Sequence, residues 1–367
     1  MSSPAVIDIE RLLTPLSDDQ PTGSDIRTNS AIDSPYSTLK DARSSARAAE
    51  RTSMFDGNSD EASQYWRQIL DLAPNILTSD AKDLEVASWY TEALIRRYGF
   101  QGLRDGFSLI AGLIENYWDN LYPEPDEDGV ITRVAPLTGL NGEGSEGVLI
   151  APIRNCRITE DTEPGPFMLW QYKQTLDVQK IADDDSRNES ISKLGYSLSD
   201  VEAAVNNSSE SFYVDLRDDI KECLSTYRAI NQMLIDKCGN QDSPPTSNII
   251  NTLDEALGVI NHVAKHKFPV EIADSDDETA SDGSGGQSQS AVANSGPIKT
   301  RDDAFRKLHD IAEFFRKTEP HSPISYVIDK AVKWGGMPLG DLISELIPDS
   351  ASREFYSSLT GVRAKEE

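Results

Sequence analysis

One stretch near the C-terminal end decides how this chain can fold. Residues 271–296 read EIADSDDETASDGSGGQSQSAVANSG, with six acids, no base and almost nothing large enough to bury. Such a segment gains too little from burial to offset the entropy of ordering it, so a disordered linker is expected, set at 271–298. A compact stretch, 299–350, and a short tail, 351–367, follow it. Before it, helical patterning extends over the first 270 residues, and an irregular run at 148–158 suggests a division into an N-terminal helical domain, 1–145, and a helical middle region, 146–270.

The fold class that the apolar spacing predicts is mainly α. Pro35 after Ser34 marks a helix start, with Tyr36, Leu39, Ala42 and Ala46 behind it. Tyr65, Trp66, Ile69 and Leu70 mark another helix, expected to close at Pro74. Ser79 stands where a cap is expected for a helix carrying Leu84, Ala87, Tyr90, Leu94 and Tyr98, with Gly99 as its stop. A second helix begins at Phe100, continues through Leu103, Phe107, Ile110, Leu113, Ile114, Tyr117, Trp118 and Leu121, and ends at Pro123. The short Gly99 junction predicts an antiparallel hairpin.

The apolar run at 148–158 predicts one or two short strands. Ser199 and Glu202 have capping-box spacing. The series Phe212, Leu216, Ile220, Cys223, Tyr227, Ile230, Leu234, Cys238 then reads as a long helix stopped at Gly239. Pro244-Pro245 turns the chain, and Ile249, Ile250, Leu253, Ala256, Leu257, Ile260 and Ala264 form a return helix that should pack antiparallel to it. Past the linker, Thr300 and Asp303 resemble a capping box before Phe305, Leu308, Ile311, Ala312 and Phe315. Pro320 breaks that helix, and Ser322-Pro323 restarts one with Ile324, Val327, Ile328, Ala331 and Val332, stopped at Gly335-Gly336. A third starts at Pro338 with Leu339, Leu342, Ile343, Leu346 and Ile347. Three short helices bury little by themselves, which favours a self-associating module.

Charge narrows the function classes. The net charge is −27, and from Lys299 onward 11 bases meet 12 acids, leaving −26 to the first 298 residues. Nucleic-acid binding is not expected of such a chain, because phosphate contacts need clustered Lys and Arg. No window has the ~18 consecutive apolar residues of a membrane helix, and no secretory signal is visible, so a cytoplasmic protein without membrane insertion is expected. Three cysteines, Cys156, Cys223 and Cys238, with no C-x-x-C pair, read as buried thiols.

Motifs for chemistry are weak. Gly142, Gly144 and Gly147 have G-x-G-x-x-G spacing, but no strand precedes and no helix follows, and Glu143 and Glu146 repel phosphate, so a flexible loop is expected. Asp126-Glu127-Asp128-Gly129 resembles a calcium loop without its twelfth-position acid, which reads as a solvated turn. His262 and His266 lie one turn apart but lack a third ligand nearby, and His309 and His321 are the only other histidines. No catalytic residue, cofactor site or metal site is assigned.

The order of several stretches is recognisable. Leu12-Leu-Thr-Pro-Leu-Ser17 and Pro21-Thr-Gly-Ser-Asp-Ile-Arg27, then Tyr36-Ser-Thr-Leu-Lys-Asp-Ala-Arg43, resemble the opening of the ImpA N-terminal domain. Residues 80–94, Gly99–Leu103 and Tyr117-Trp-Asp-Asn-Leu-Tyr-Pro123 are similar to its most distinctive parts, including Trp89, Trp118 and Tyr122. The tail, through 303–308, 319–326, 331–335 and 337–339, resembles the ending of the shorter TssA proteins of bacterial type VI secretion systems. That resemblance implies a non-enzymatic assembly factor that helps to prime or coordinate tail tube and sheath assembly at the baseplate. It implies baseplate, membrane-complex, inner-tube and sheath proteins as partners, recruitment to the inner-membrane-associated apparatus, and a homo-oligomeric ring formed by the C-terminal part.

Phe314, Tyr326, Trp334 and Met337 are the candidate oligomer-interface residues, because the tail carries more apolar surface than its short helices can bury. Arg43 and Arg47, one turn apart on an acidic domain, are candidates for gripping an acidic partner. The competing classes are a monomeric or small-oligomer adaptor and a metal-dependent hydrolase built on His262 and His266.

Overall fold

The computed structural model describes residues 2–56, 60–127, 129–268, 301–318 and 323–335, with Met337, Leu342, Glu345 and Asp349. The chain divides into two units, Met1–Ser275 and Asp276–Glu367. The expected linker, most of the third tail helix, the 351–367 tail, and Asp128, Thr300, Pro320 and His321 lie outside the described residues. Among the described residues every regular element is helical, and β pairing is confined to isolated bridges, so the protein is mainly α. No helix among them is long and apolar enough to cross a membrane.

The larger unit opens with α1 (Ile9–Leu13), α2 (Pro35–Asp56), α3 (Asp60–Ser79), α4 (Leu84–Tyr117) and α5 (Val130–Asn141). It continues with α6 (Ile150–Arg154), α7 (Leu169–Gln179), α8 (Asp184–Leu194), α9 (Leu198–Asn207), α10 (Glu210–Asp242) and α11 (Ser247–Val263). One apolar core runs through all of it, from Leu12 to Ala264. The expected division at 145/146 has no counterpart in that core. Phe107 of α4 packs on Tyr227 of α10 with ring centroids 4.6 Å apart, and the Cys223 thiol donates to the Phe100 carbonyl at 3.5 Å. The antiparallel α10–α11 pair forms as expected, with Arg228 on Asp254 and Thr246 on Asn231.

The centre of the unit is the α4 hairpin. At Gly99 the backbone turns with φ 61° and ψ −140°, a conformation that costs glycine least, and it reverses the helix. The ends meet again where Leu84 N–H donates to the Tyr122 carbonyl at 2.8 Å and Tyr122 N–H donates to Lys82 at 3.1 Å. Between turn and ends, Gly102 and Gly106 let the two arms touch. A Cβ on Gly102 would collide with the Leu94 carbonyl, and one on Gly106 would lie 2.6 Å from Thr91 Oγ1.

Four expectations are corrected locally. Helix α3 passes through Pro74 and ends at Ser79, because Ala73, Ile76 and Leu77 are buried and their packing outweighs one missing hydrogen bond. The cap of α4 is therefore Asp83, whose Oδ1 accepts from Glu85 N–H at 2.8 Å and Val86 N–H at 3.1 Å. The 148–158 run makes helix α6 and no strand; its only β pairing is the single Arg157–Met168 bridge, and Pro152 sits in the first helical turn, where no donor is needed. The capping box of α9 is Ser197 with Asp200, two residues before the expected one. The glycine loop at 142–147 carries hydrogen bonds of its own, Gly147 N–H on the Asn141 carbonyl at 3.1 Å and Asn141 Nδ2 on the Gly142 carbonyl at 2.9 Å.

In the smaller unit, α12 (Arg301–Thr318) and α13 (Ile324–Gly335) form an antiparallel pair. Arg301 reaches the Gly335 carbonyl at one end and Arg316 pairs with Asp329 at the other. Ala312 and Ser325, both buried, lie in this unit, and a Cβ on Gly335 would strike the Phe305 ring.

Two outcomes follow from this packing. Gly102→Ala improves intrinsic helix propensity by about 1 kcal/mol, yet the collision with Leu94 should lower stability by about 1–3 kcal/mol, read by urea unfolding. Lys82 is fully buried, and burial pushes its pKa down from 10.5 to about 8. The unfolded chain then binds more protons between these values, so the stability of the wild type over Lys82→Met should rise by about 3 kcal/mol as pH climbs from 8 to 10.5.

Candidate functional site

The stretches that carry the family resemblance converge on one backbone junction, residues 80–85. Lys82 N–H donates to the Thr22 carbonyl at 2.9 Å, and Ser24 N–H donates to Asp80 at 3.3 Å. Arg27 Nη1 reaches the buried Asp83 carboxylate at 2.6 Å while its Nη2 reaches Glu85 at 2.6 Å. Burial pushes the Asp83 pKa up, and the Arg27 guanidinium works against that shift. Tyr122 closes the third side, its hydroxyl donating to the Gly23 carbonyl at 3.3 Å. Arg133 lies over the Trp118 ring at 5.4 Å and donates to the Pro123 carbonyl at 3.1 Å.

From this junction a ladder of rings and charges climbs the first arm of α4. Glu85, Trp89, Glu92 and Arg96 are spaced at one-turn intervals, so they share one stripe. Successive α2 residues meet them. Tyr36 donates to Glu85 at 2.9 Å and stacks on Trp89 at 5.7 Å; Arg43 lies over Trp89 at 5.2 Å; Glu50 accepts from Arg96 Nε at 2.6 Å and from Trp66 Nε1 at 2.7 Å. Arg96 in turn covers the Trp66 ring at 4.0 Å.

Arg43, expected to grip an acidic partner, has its acid within the fold. Its Nε donates to Glu92 Oε1 at 2.8 Å and its Nη2 to the same atom at 2.5 Å. Arg47 is half-buried and makes no hydrogen bond or ion pair among the described residues. Burial pulls its pKa down, Glu92 opposes that, and Arg43, Arg96 and Arg51 reinforce it. Glu92 is the residue that the sequence reading passed over. The signal was present: residues 86–95, VASWYTEALI, hold one charge in an otherwise apolar run, and a charge there must be paired.

Beside the ladder, α2, α4 and α5 enclose a groove of about 700 Å³. Its floor includes Ser88, Trp89 and Glu92, and its rim includes Pro123, Glu124, Pro125 and Asp126. At the Asp126 turn, read as solvated, the Asp126 carboxylate accepts from the exposed Thr132 hydroxyl on α5.

The remaining sequence candidates are dispersed. His262 and His266 are exposed, and no group of three His, Cys, Asp or Glu side chains among the described residues is arranged to hold a metal ion. Cys156 and Cys223 are buried, and burial pushes the Cys156 thiol up to about 12, which leaves it unreactive. In the smaller unit Phe314 is 60% exposed and Tyr326 64%, beside Val327 at 62% and Ile311 at 45%. Trp334 and Met337 are half-buried, with Lys330 lying over the Trp334 ring at 5.0 Å.

Comparison with known proteins agrees with this geometry. Residues 13–142 match the family model described as ImpA, N-terminal, type VI secretion system. Over 97% of its length, and 99% of the relative's, the chain is 24% identical to the type VI secretion system component TssA1 of Pseudomonas aeruginosa. The solved N-terminal domain of TssA from Burkholderia cenocepacia, which includes the conserved ImpA_N region, matches 71% of this chain and 94% of its own with a TM-score of 0.58 at 23% identity, which shows a shared fold. Residues 13–142 thus match the ImpA N-terminal model, and from end to end the chain is similar to a TssA component of a type VI secretion system.

Proposed function

We propose that this protein is a non-enzymatic assembly component of a type VI secretion system. It acts at the baseplate, from the cytoplasmic side of an inner-membrane-associated apparatus, and helps to prime or coordinate growth of the tail tube and sheath. The observation that carries the reading is the similarity to TssA1 across nearly the whole of both chains. Residues 299–350 form the self-associating module, 271–298 the tether, and the larger unit the part presented to baseplate, membrane-complex, inner-tube and sheath proteins.

Support for self-association comes from the smaller unit itself. Phe314, Tyr326 and Val327 are each at least 60% exposed on a pair of short helices. Burying what is still exposed of each gains on the order of 1–2 kcal/mol, which a ring of copies recovers by packing them against one another. Near-neutral charge in this part removes the repulsion that the acidic larger unit would oppose to assembly. Several larger units held on one ring gain avidity for a symmetric partner even where each contact is weak.

Light scattering after size exclusion tests this on the full chain and on residues 1–296. A many-chain mass for the former and a one- or two-chain mass for the latter are expected. Phe314→Asp combined with Tyr326→Asp should dissociate the full chain while the melting of the larger unit stays within about 1 °C. Identical small masses for both lengths would replace the ring with a monomeric adaptor.

A further inference from the structure

A groove of about 820 Å³ opens at the turn of the α4 hairpin, bounded also by the stretch after α6 and by the start of α10. Its floor is apolar: Ile95 and Phe100 are each 2% exposed. Tyr98, 41% exposed, and the half-buried Met168 and Phe212 line it as well, so all three still have surface to offer an occupant. Three arginines line it, and no lysine among the described residues does. Tyr, Phe, Met and Arg in the near absence of Lys is the composition of an interface centre rather than of ordinary surface.

The polar groups around the groove keep more donors than acceptors to spare. Of its three carboxylates, Asp219 is taken by Arg104 and Ser3, and Glu160 accepts from Ser209 N–H at 2.7 Å and from the Ser209 hydroxyl at 3.1 Å, which leaves Asp215. Of its three arginines only Arg96 is held, by Glu50. Arg97 is exposed, lies 5.8 Å from the centre of the Tyr98 ring, and makes no hydrogen bond or ion pair among the described residues. Arg157 has only Asp161, 3.9 Å away with both side chains more than half exposed, a pair of little strength.

We propose that this groove docks an acidic segment of another protein, with an aromatic side chain against Tyr98, Met168 and Phe212 and flanking carboxylates on Arg97 and Arg157. A guanidinium fork takes a carboxylate through two parallel hydrogen bonds, and these two forks are unused within the fold. The Met168 thioether and the two rings favour an aromatic anchor over an aliphatic one, through sulfur–ring and ring–ring contacts. The first 298 residues carry −26, so general surface attraction selects a basic ligand, and preference for an acidic one marks the site. The inference stands whether or not the chain forms the ring described above.

Calorimetric titration of the full chain with the peptide acetyl-Asp-Glu-Trp-Glu-Asp-amide at physiological salt tests it. Saturable binding is expected, at least fivefold weaker with alanine in place of the tryptophan and at least tenfold weaker with lysine in place of the four acids. Arg97, Tyr98 and Arg157 are exposed, so their alanine variants should melt with the wild type while each weakens the peptide several-fold. Asp215→Asn should strengthen it about twofold by removing the one competing carboxylate, and Arg67→Ala, exposed on α3, should change it less than twofold. Equal or tighter binding of the lysine peptide, or equal losses from Arg67→Ala and Arg97→Ala, would show general surface charge and overturn the site. Unchanged affinity without the tryptophan would overturn the aromatic anchor, and absence of saturable binding would overturn the proposal as a whole.

Discussion

Two neighbouring residues, both removed from water, hold the larger unit together: Lys82 and Asp83. Their side chains serve different partners. Lys82 Nζ donates to the carbonyls of Leu12 and Leu77, each at 2.7 Å, and so ties off the ends of α1 and α3. Asp83 starts α4 and accepts from Arg27, which anchors the segment before α2. Four helices are therefore indexed to one dipeptide. A charge without water costs several kcal/mol unless its bonds are complete, so alternative arrangements of these helices are disfavoured far more than loss of any one contact suggests.

A second buried network extends that order across the point where the sequence suggested a domain boundary. Arg104 on the returning arm of α4 donates to Asp219 of α10 at 2.5 Å, and its Nη groups also reach the carbonyls of Ser3 and Pro4. Ser3 N–H and Oγ close the ring on the two Asp219 oxygens at 3.0 and 2.7 Å, and Val6 N–H donates to Asp105 at 2.6 Å. Removing α10 would take Asp219 from Arg104, leaving Asp105 as its carboxylate, and would uncover Phe107, which packs on Tyr227. The ImpA-like region is thus one wall of a larger core, in keeping with a match to a solved TssA N-terminal domain that reaches well beyond residue 142.

What the sequence disclosed and what it hid divide along physical lines. Apolar periodicity located α2, the α4 hairpin, α10 and α11, because burying a stripe of Leu39, Ala42 and Ala46 or of Ile220, Cys223 and Tyr227 requires helical spacing. Boundaries were less legible. Pro74 reads as a stop until the packing of Ile76 and Leu77 is known, and Ser79 looks like a cap until Asp83 is seen to be fixed by Arg27, which lies 56 residues earlier. Candidate surface residues were hardest. Arg43 and Arg47 look alike in a sequence, but only Arg43 faces Glu92, and a lone glutamate in a helix gives no sign of which arginine will meet it. In the tail, Phe314 and Tyr326 stay largely exposed, since two short helices cannot cover every large side chain they carry.

The two units differ in the surface they leave open, and this bears on how each meets a partner. In the larger unit most large apolar side chains are covered, Ile32 and Ile131 apart, and the unit is strongly acidic. Contacts through charged groups are directional, chosen by charge and geometry, and weakened by salt. In the smaller unit the open surface is apolar, with Phe314, Tyr326 and Val327 in water. Association through these gains from area, tolerates salt and favours a self-complementary face repeated in identical copies. Where the two kinds of surface lie in separate units, a change in one set of contacts leaves the chemistry of the other untouched.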